Sequence, residues 1–327
     1  MLFEFVVFGS FDLMKIAPYF LKINQKQIKG ALLSDGRGFA VLQPWESLGD
    51  PSLDFLIKDL VLEKNNFLVR RALELLKIDG EARSKNISLL PIQSPPSHLY
   101  LDLRDESFFL KFQEALRDGI LLFKFKVGID HLQEIQNLKK IHNEFSASKF
   151  KIRLDANLRF SSLKDFEKFL KNFESILERI DFIEDPFLGN PFEWILLKDK
   201  FNLRLAHDFA DESFRELCDV WILKPTRNDP AYLFNLALKK NKKVVFTTAL
   251  DHELGQLASL SIAHDFQKQH PSFVEDGGFL SFSEVQGLSS FLRRQNNVLD
   301  FEDLRGSGFG CEKLFLNLKW NDPRDFK

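Results

Sequence analysis

Two cysteines, Cys218 and Cys311, are all that the chain contains. That number builds no disulfide framework and fits a reducing compartment, so the cytoplasm is the expected location. Tyrosine is equally scarce, with 3 residues against 36 phenylalanines, which makes phenylalanine the expected filler of the core and a packing signature without function. No apolar run approaches the ~20 residues that span a bilayer. The opening MLFEFVVFGSF lacks a basic start and a small-residue cleavage site, and is read as a sheet strand rather than a signal peptide. With 45 Lys and Arg against 47 Asp and Glu and no basic stripe, nucleic acid is not an expected partner. His207, His252 and His264 stand without an HExxH spacing or a Cys cluster, which argues against a zinc site. Gly128 has no GxGxxG or Walker context, and no GxSxG elbow is present, so neither nucleotide binding nor Ser-His-Asp chemistry is indicated.

What is present divides into two patterns. The first ninety or so residues read as strands followed by helices, with Asp35-Gly36 as a hairpin signal between extended runs. Helical periodicity then covers SLDFLIKDLVLEKNNFLVRRALELLK in two segments, and the polar PIQSPPSH closes this part. From Leu99 onward strand-like and helix-like stretches alternate: LYLDL, LLFKFKV, KIRLDAN, DFIEDP, LRLAHD, VWILKP and KVVFTTAL are the strands. Such a run predicts a parallel sheet with right-handed crossovers, closed into a barrel at this count. The expected fold is α/β: a modified (β/α)7β TIM-like barrel over 96–300, an N-terminal α+β capping domain over 1–95, and a C-terminal segment, 301–327, packing back on the cap.

Charged residues end these strands one βα unit apart. They are Lys124 and Lys126 in FKFKVG, Asp155 in IRLDAN, Glu184 in FIEDP, Asp208 in RLAHD and Lys224 in WILKP. A parallel barrel gathers its strand ends on one face, so residues distant in sequence converge there. Three carboxylates would then face the lysines across one pocket, where a hard cation relieves their repulsion; Mg²⁺ suits oxygen-only ligands, with Mn²⁺ as the alternative. Strand alternation points Lys124 and Lys126 to one side and Phe123 and Phe125 to the other. The same rule turns Asp185 away from Glu184 and places Asn157 on the side of Asp155. The third carboxylate is less determined, because RLAHDFADES offers Asp208, Asp211 and Glu212. Asp208 is favoured since it directly ends the apolar run; Asp211 is the alternative if the loop is longer, and its type also suits a helix N-cap.

The ordered set KFK, DAN, IEDP, strand-end Asp and LKP resembles the enolase superfamily, and within it the o-succinylbenzoate synthases of menaquinone biosynthesis. QPWESLGD, TTALDHELG and GSGFG followed by LKW are further local likenesses. The resemblance implies a Mg²⁺-dependent lyase that acts on a small-molecule carboxylate by proton abstraction beside the carboxylate. Asp155, Glu184 and Asp208 would be the metal ligands and Lys126 the base. Lys124 would tune that base and contact substrate, and Lys224 would be the cation on the opposite face. Asn157, Thr247 and Thr248 fall at substrate-side positions. An N-acylamino acid racemase or dipeptide epimerase of the same superfamily, with Lys126 and Lys224 as two bases, is the alternative. The choice between them is expected to lie with capping loops, chiefly in APYFLKINQKQIKGALL. A non-catalytic barrel is disfavoured because all six charges are present. Neither a membrane nor a nucleic-acid partner is expected, and the oligomeric state stays open.

Overall fold

The computed structural model describes residues 14–23, 26–209, 211–280, 293–301, 306–311, 315 and 318–326. Strands β1 (Lys15–Ile23), β2 (Lys26–Ser34) and β3 (Phe39–Leu42) form an antiparallel sheet in that order. The β2–β3 turn is the one signalled by Asp35-Gly36: Gly36 has φ +81°, and Asp35 Oδ1 accepts the amides of Arg37 and Gly38 at 2.9 and 2.8 Å. Helices α1 (Leu53–Val61) and α2 (Phe67–Ser84) start where Ser52 and Asn66 side chains accept the amides of Phe55 and Leu68. Leu56, Leu60, Ala72 and Leu75 of these helices are buried in one core with Leu32, Leu33 and Val41 of the sheet. The segment APYFLKINQKQIKGALL, expected to contain a specificity loop, holds the β1–β2 strand pair; residues 24–25 between the strands lie outside the described residues, as does MLFEFVVFGSF.

Eight parallel strands follow: β4 (Leu99–Leu101), β5 (Leu122–Lys126), β6 (Lys151–Asp155), β7 (Ile180–Glu184), β8 (Leu205–His207), β9 (Val220–Leu223), β10 (Lys243–Thr247) and β11 (Val274–Gly278). Each pairs with its sequence neighbour. Between them run α3 (Phe108–Arg117), α4 (His131–Glu144), α5 (Leu163–Lys171), α6 (Pro191–Phe201), α7 (Glu212–Arg215), α8 (Pro230–Lys239) and α9 (Glu253–Gln269). The barrel closes ahead of β4, where Gly277 O accepts the His98 amide at 2.9 Å and the Gly277 amide reaches Pro96 O at 2.7 Å. Here the sequence reading needs two adjustments. Strand β11, FVEDGG in sequence, has no long apolar run and was not among the recognised strands. The helix expected over SSLKDFEKFLKNFESI stops at Lys171, and a 3₁₀ segment, Glu174–Arg179, continues it. A last hairpin joins β12 (Arg293–Gln295) to β13 (Val298–Asp300).

Phenylalanine packs the layer between barrel and helices. Phe123 and Phe125 point out of β5, and Phe112 of α3 lies 4.4 Å from Phe123 and 5.3 Å from Phe150 between ring centroids. Inside the barrel a small apolar cluster forms from Phe182, Ala206, Val220, Ile222 and Val245. The C-terminal segment returns to the cap: buried Asp79 of α2 accepts the Phe309 amide at 2.7 Å and the Phe39 amide at 2.8 Å, while Arg83 donates to Gly310 O at 2.9 Å. Among the described residues no helix is long and apolar enough to cross a membrane. Phe112→Ala, which empties the centre of the aromatic layer, is expected to cost roughly 3–5 kcal/mol. A shift of the urea midpoint without loss of the strand signature in circular dichroism would show it.

Candidate active site

Strand register sets the site. Lys126 pairs with Asp155 and Asp155 with Glu184, so the ends of β5, β6 and β7 stand level. Lys124, on the inner face of β5, brings its Nζ to 2.9 and 2.8 Å from the two oxygens of Glu184 and to 2.9 Å from Asp155 Oδ2. Both carboxylates are buried. Burial works against the Lys124 charge, but Asp155 and Glu184 outweigh it and hold the ammonium pKa above its ordinary value. Glu184 is pushed up by burial and by Asp155, with Lys124 opposing. Asp155 is held down: burial opposes, but Lys124 and Lys126 prevail.

Lys126 lies on the same face and forms no hydrogen bond or ion pair among the described residues. Burial lowers its pKa; Asp155 opposes that, and Lys124 and Arg159 add to it. Asn157 donates to Asp155 Oδ1 and, with Leu158, sits in the left-handed region (φ +46° and +54°), which turns the chain sharply at the end of β6. Across the mouth, Lys224 forms an ion pair with Asp208. Its backbone amide is held by Asn228 Oδ1 at 2.7 Å. Thr247 Oγ1 makes a long 3.3 Å bond to Gly278 O, and Thr248 is buried directly after β10.

The neighbouring acids separate by geometry. Asp185, fully buried, turns away from Lys124 and accepts the amides of Asp208 and Phe209 at 3.3 and 3.0 Å. It therefore shapes the loop that carries Asp208. Asp211 caps α7 by accepting the Ser213 amide, and Glu212 pairs with Arg215 at 2.7 Å. Asp208 is the acid of this loop that faces the mouth, and its charge acts on Glu184. Among the described residues no three His, Cys, Asp or Glu side chains already converge closely enough to hold a metal ion. The donor chemistry nevertheless fits one. Two buried carboxylates converge on a single cationic nitrogen, a third follows on the next strand, and every donor is a hard oxygen.

Comparison with known proteins narrows this geometry. Residues 8–82 match the family model described as O-succinylbenzoate synthase, N-terminal domain. An o-succinylbenzoate synthase of Bdellovibrio bacteriovorus is 25% identical over 291 residues, covering 86% of each chain. The similarity to o-succinylbenzoate synthases thus extends from the N-terminal domain over most of the chain. In fold it is similar to a dipeptide epimerase from Enterococcus faecalis V583 (TM-score 0.70, 14% identity, 91% of this chain and 98% of that one). It is also similar to a dipeptide epimerase from Methylococcus capsulatus complexed with Mg ion (TM-score 0.68, 15% identity, 91% and 97%).

Several residues around the site carried no role in the sequence reading. Buried Arg71 of α2 donates to Pro225 O, directly after Lys224, at 2.6 Å. Arg227 donates to Asp50 at 2.9 Å, and Asp50 also accepts the Trp45 amide at 2.6 Å. Gln43 accepts from Tyr19 Oη at 2.7 Å and from the His252 amide at 3.1 Å. These contacts tie the cap to the loops after β9 and β10. Asp50 and Trp45 lie in QPWESLGD, whose likeness was visible but whose partners were not. Below the site, Arg153 was legible in principle, since it stands two residues before Asp155 and alternation points it inward. It bonds Asp181 at 2.8 Å, and Arg204 bridges Asp181 and Glu275 at 3.0 and 2.5 Å. These groups line a cavity of about 540 Å³ at the strand-start pole, remote from the strand-end charges. Asp185→Ala should destabilise by roughly 2–3 kcal/mol, because two backbone amides lose a buried acceptor. Asp211→Ala removes only the exposed N-cap of α7 and should cost less, about 0.5–1 kcal/mol in the same urea titration.

Proposed function

We propose that the chain is an o-succinylbenzoate synthase. It would remove water from 2-succinyl-6-hydroxy-2,4-cyclohexadiene-1-carboxylate to give 2-succinylbenzoate, a step of menaquinone biosynthesis. The observation that carries this reading is the difference between the two lysines of β5. Lys124 is held by Asp155 and Glu184, whereas Lys126, on the same inner face, has no ion pair among the described residues. A general base must be free of such a partner to take a proton. The matching N-terminal domain and the Bdellovibrio relative support the same substrate class.

In this mechanism Lys126 takes the ring proton beside the carboxylate. The electron pair of that C–H bond moves into the ring, and the C–O bond to the hydroxyl breaks on the same face. The protonated Lys126 returns its proton to the departing oxygen, so substrate becomes product plus water. Asp155, Glu184 and Asp208 are the residues that would hold Mg²⁺, which when bound supplies Lewis-acid stabilisation of the charge developed on the substrate carboxylate. Lys124 keeps the first two carboxylates oriented. Lys224 adds a cation on the opposite side, fixed by Asp208. The side chain of Asn157 holds Asp155.

Purified protein with Mg²⁺ and the cyclohexadiene should form 2-succinylbenzoate, followed by ultraviolet absorbance. No product, with racemisation of N-succinyl amino acids or epimerisation of dipeptides instead, would favour the second reading, which the presence of Lys224 at the same mouth keeps in play. Lys126→Ala should lower kcat by on the order of 10²–10⁴ with an unchanged circular dichroism spectrum. Lys224→Arg keeps a cation but supplies no base near neutral pH. Residual dehydration in that variant is expected, whereas a two-base reaction would disappear. Glu184→Gln should weaken Mg²⁺ affinity and turnover together, as measured by calorimetric titration and initial rates.

A further inference from the structure

His98 precedes β4 at the closure of the barrel, and its side chain is turned inward and only 5% exposed. Arg153, reaching across from β6, places Nη1 3.0 Å from His98 Nδ1, while also donating to Asp276 O at 2.5 Å and to Asp181 at 2.8 Å. A guanidinium only donates, so Nδ1 must accept, and the single ring proton of a neutral imidazole then belongs to Nε2. Burial, and next the charges of Arg153 and Lys124, hold this ring well below the usual histidine pKa. Its Nε2 has no hydrogen-bond partner among the described residues.

Gly278, at the end of β11, packs against this edge of the ring. A Cβ built there would lie 3.0 Å from His98 Nε2 and 2.6 Å from Thr247 Oγ1. The same Cβ would lie 3.0 Å from His98 Cε1, so the edge of the imidazole and the Thr247 hydroxyl both pack closely against the glycine. Lys124 lies close enough for its charge to act on the ring. The free Nε2–H therefore stands beside Thr247 and within the field of the Lys124 ammonium at the floor of the candidate site, a setting suited to an anionic oxygen.

We propose that His98 is a substrate-binding residue whose Nε2–H, oriented by Arg153, donates to a carboxylate oxygen of the substrate. This rests on the dehydratase reading above. Two variants separate contact from support. In His98→Asn the amide oxygen still accepts from Arg153, but no atom reaches the Nε2 position. His98→Gln carries an amide N–H to that position. His98→Asn should lose kcat/KM by roughly 10- to 100-fold, mainly through KM, the scale of a hydrogen bond to a charged group. Its thermal midpoint should stay near wild type, and His98→Gln should recover most of the loss. Wild-type kcat/KM in His98→Asn would overturn the assignment, and so would equal losses in both variants that follow a fall in stability. In protein labelled with ¹⁵N-histidine, the Nε2–H proton should move downfield on titration with 2-succinylbenzoate; an unmoved signal at saturation would also overturn it. A wild-type protein that leaves the cyclohexadiene untouched would instead remove the dehydratase reading itself, whereas wild-type turnover with an indifferent His98→Asn removes this inference alone.

Discussion

An ammonium between two buried carboxylates is the constraint on which the rest of the barrel depends. Taking each of these charges out of water costs several kcal/mol, recovered only when partners stand at hydrogen-bonding distance. Lys124, Asp155 and Glu184 meet that condition because their strands are in register. A one-residue slip of β6 would turn Asp155 outward among the phenylalanines and bring Leu154 into the mouth. The polar interior continues downward through His98 and Arg153 to Asp181, with the apolar cluster of Phe182, Ala206, Ile222 and Val245 also inside the barrel. A barrel with this much buried charge tolerates few alternative registers, which helps to specify the fold while spending stability on the site.

The cap has a different task. Its own core of α1, α2 and a three-stranded sheet is ordinary, but its polar edge is directed at the barrel mouth. Arg71 and Asp50 hold the loop just beyond Lys224, and Gln43 with Tyr19 holds the loop after β10. The cap therefore meets the side of the mouth that carries Lys224 and the threonines through loops rather than through strands. The epimerases named above, at 14–15% identity, share this fold.

Strand ends were legible in the amino-acid sequence because they are local. Alternation with period two separates Lys124 and Lys126 from Phe123 and Phe125, and a short apolar run ending in a charge marks the tip of a strand. The order of βα units follows from the same periodicities, which is why the eight-stranded parallel architecture was expected. Strand β11 escaped because VEDGG offers neither an apolar run nor alternation, and its place is set by pairing with β10 and by the bridge to Ser97. The strand pair within 17–33 was not recognised apart from its end, ALL, because lysine and glutamine interrupt its apolar residues.

The sequence by itself determined which side chains reach the mouth, since that depends on a residue's position within its own strand. Only the tertiary structure decided what each one meets there. The pairing of Lys124 with two acids, of Lys224 with Asp208, and the turning of Asp185 toward backbone amides all depend on how neighbouring strands are staggered. His98 shows the division most clearly. It is a lone histidine before a short strand, 55 residues from the arginine that fixes its proton and far in sequence from the glycine that packs against its ring. Barrel closure brings the three together, and no local pattern encodes a contact made by closing a ring.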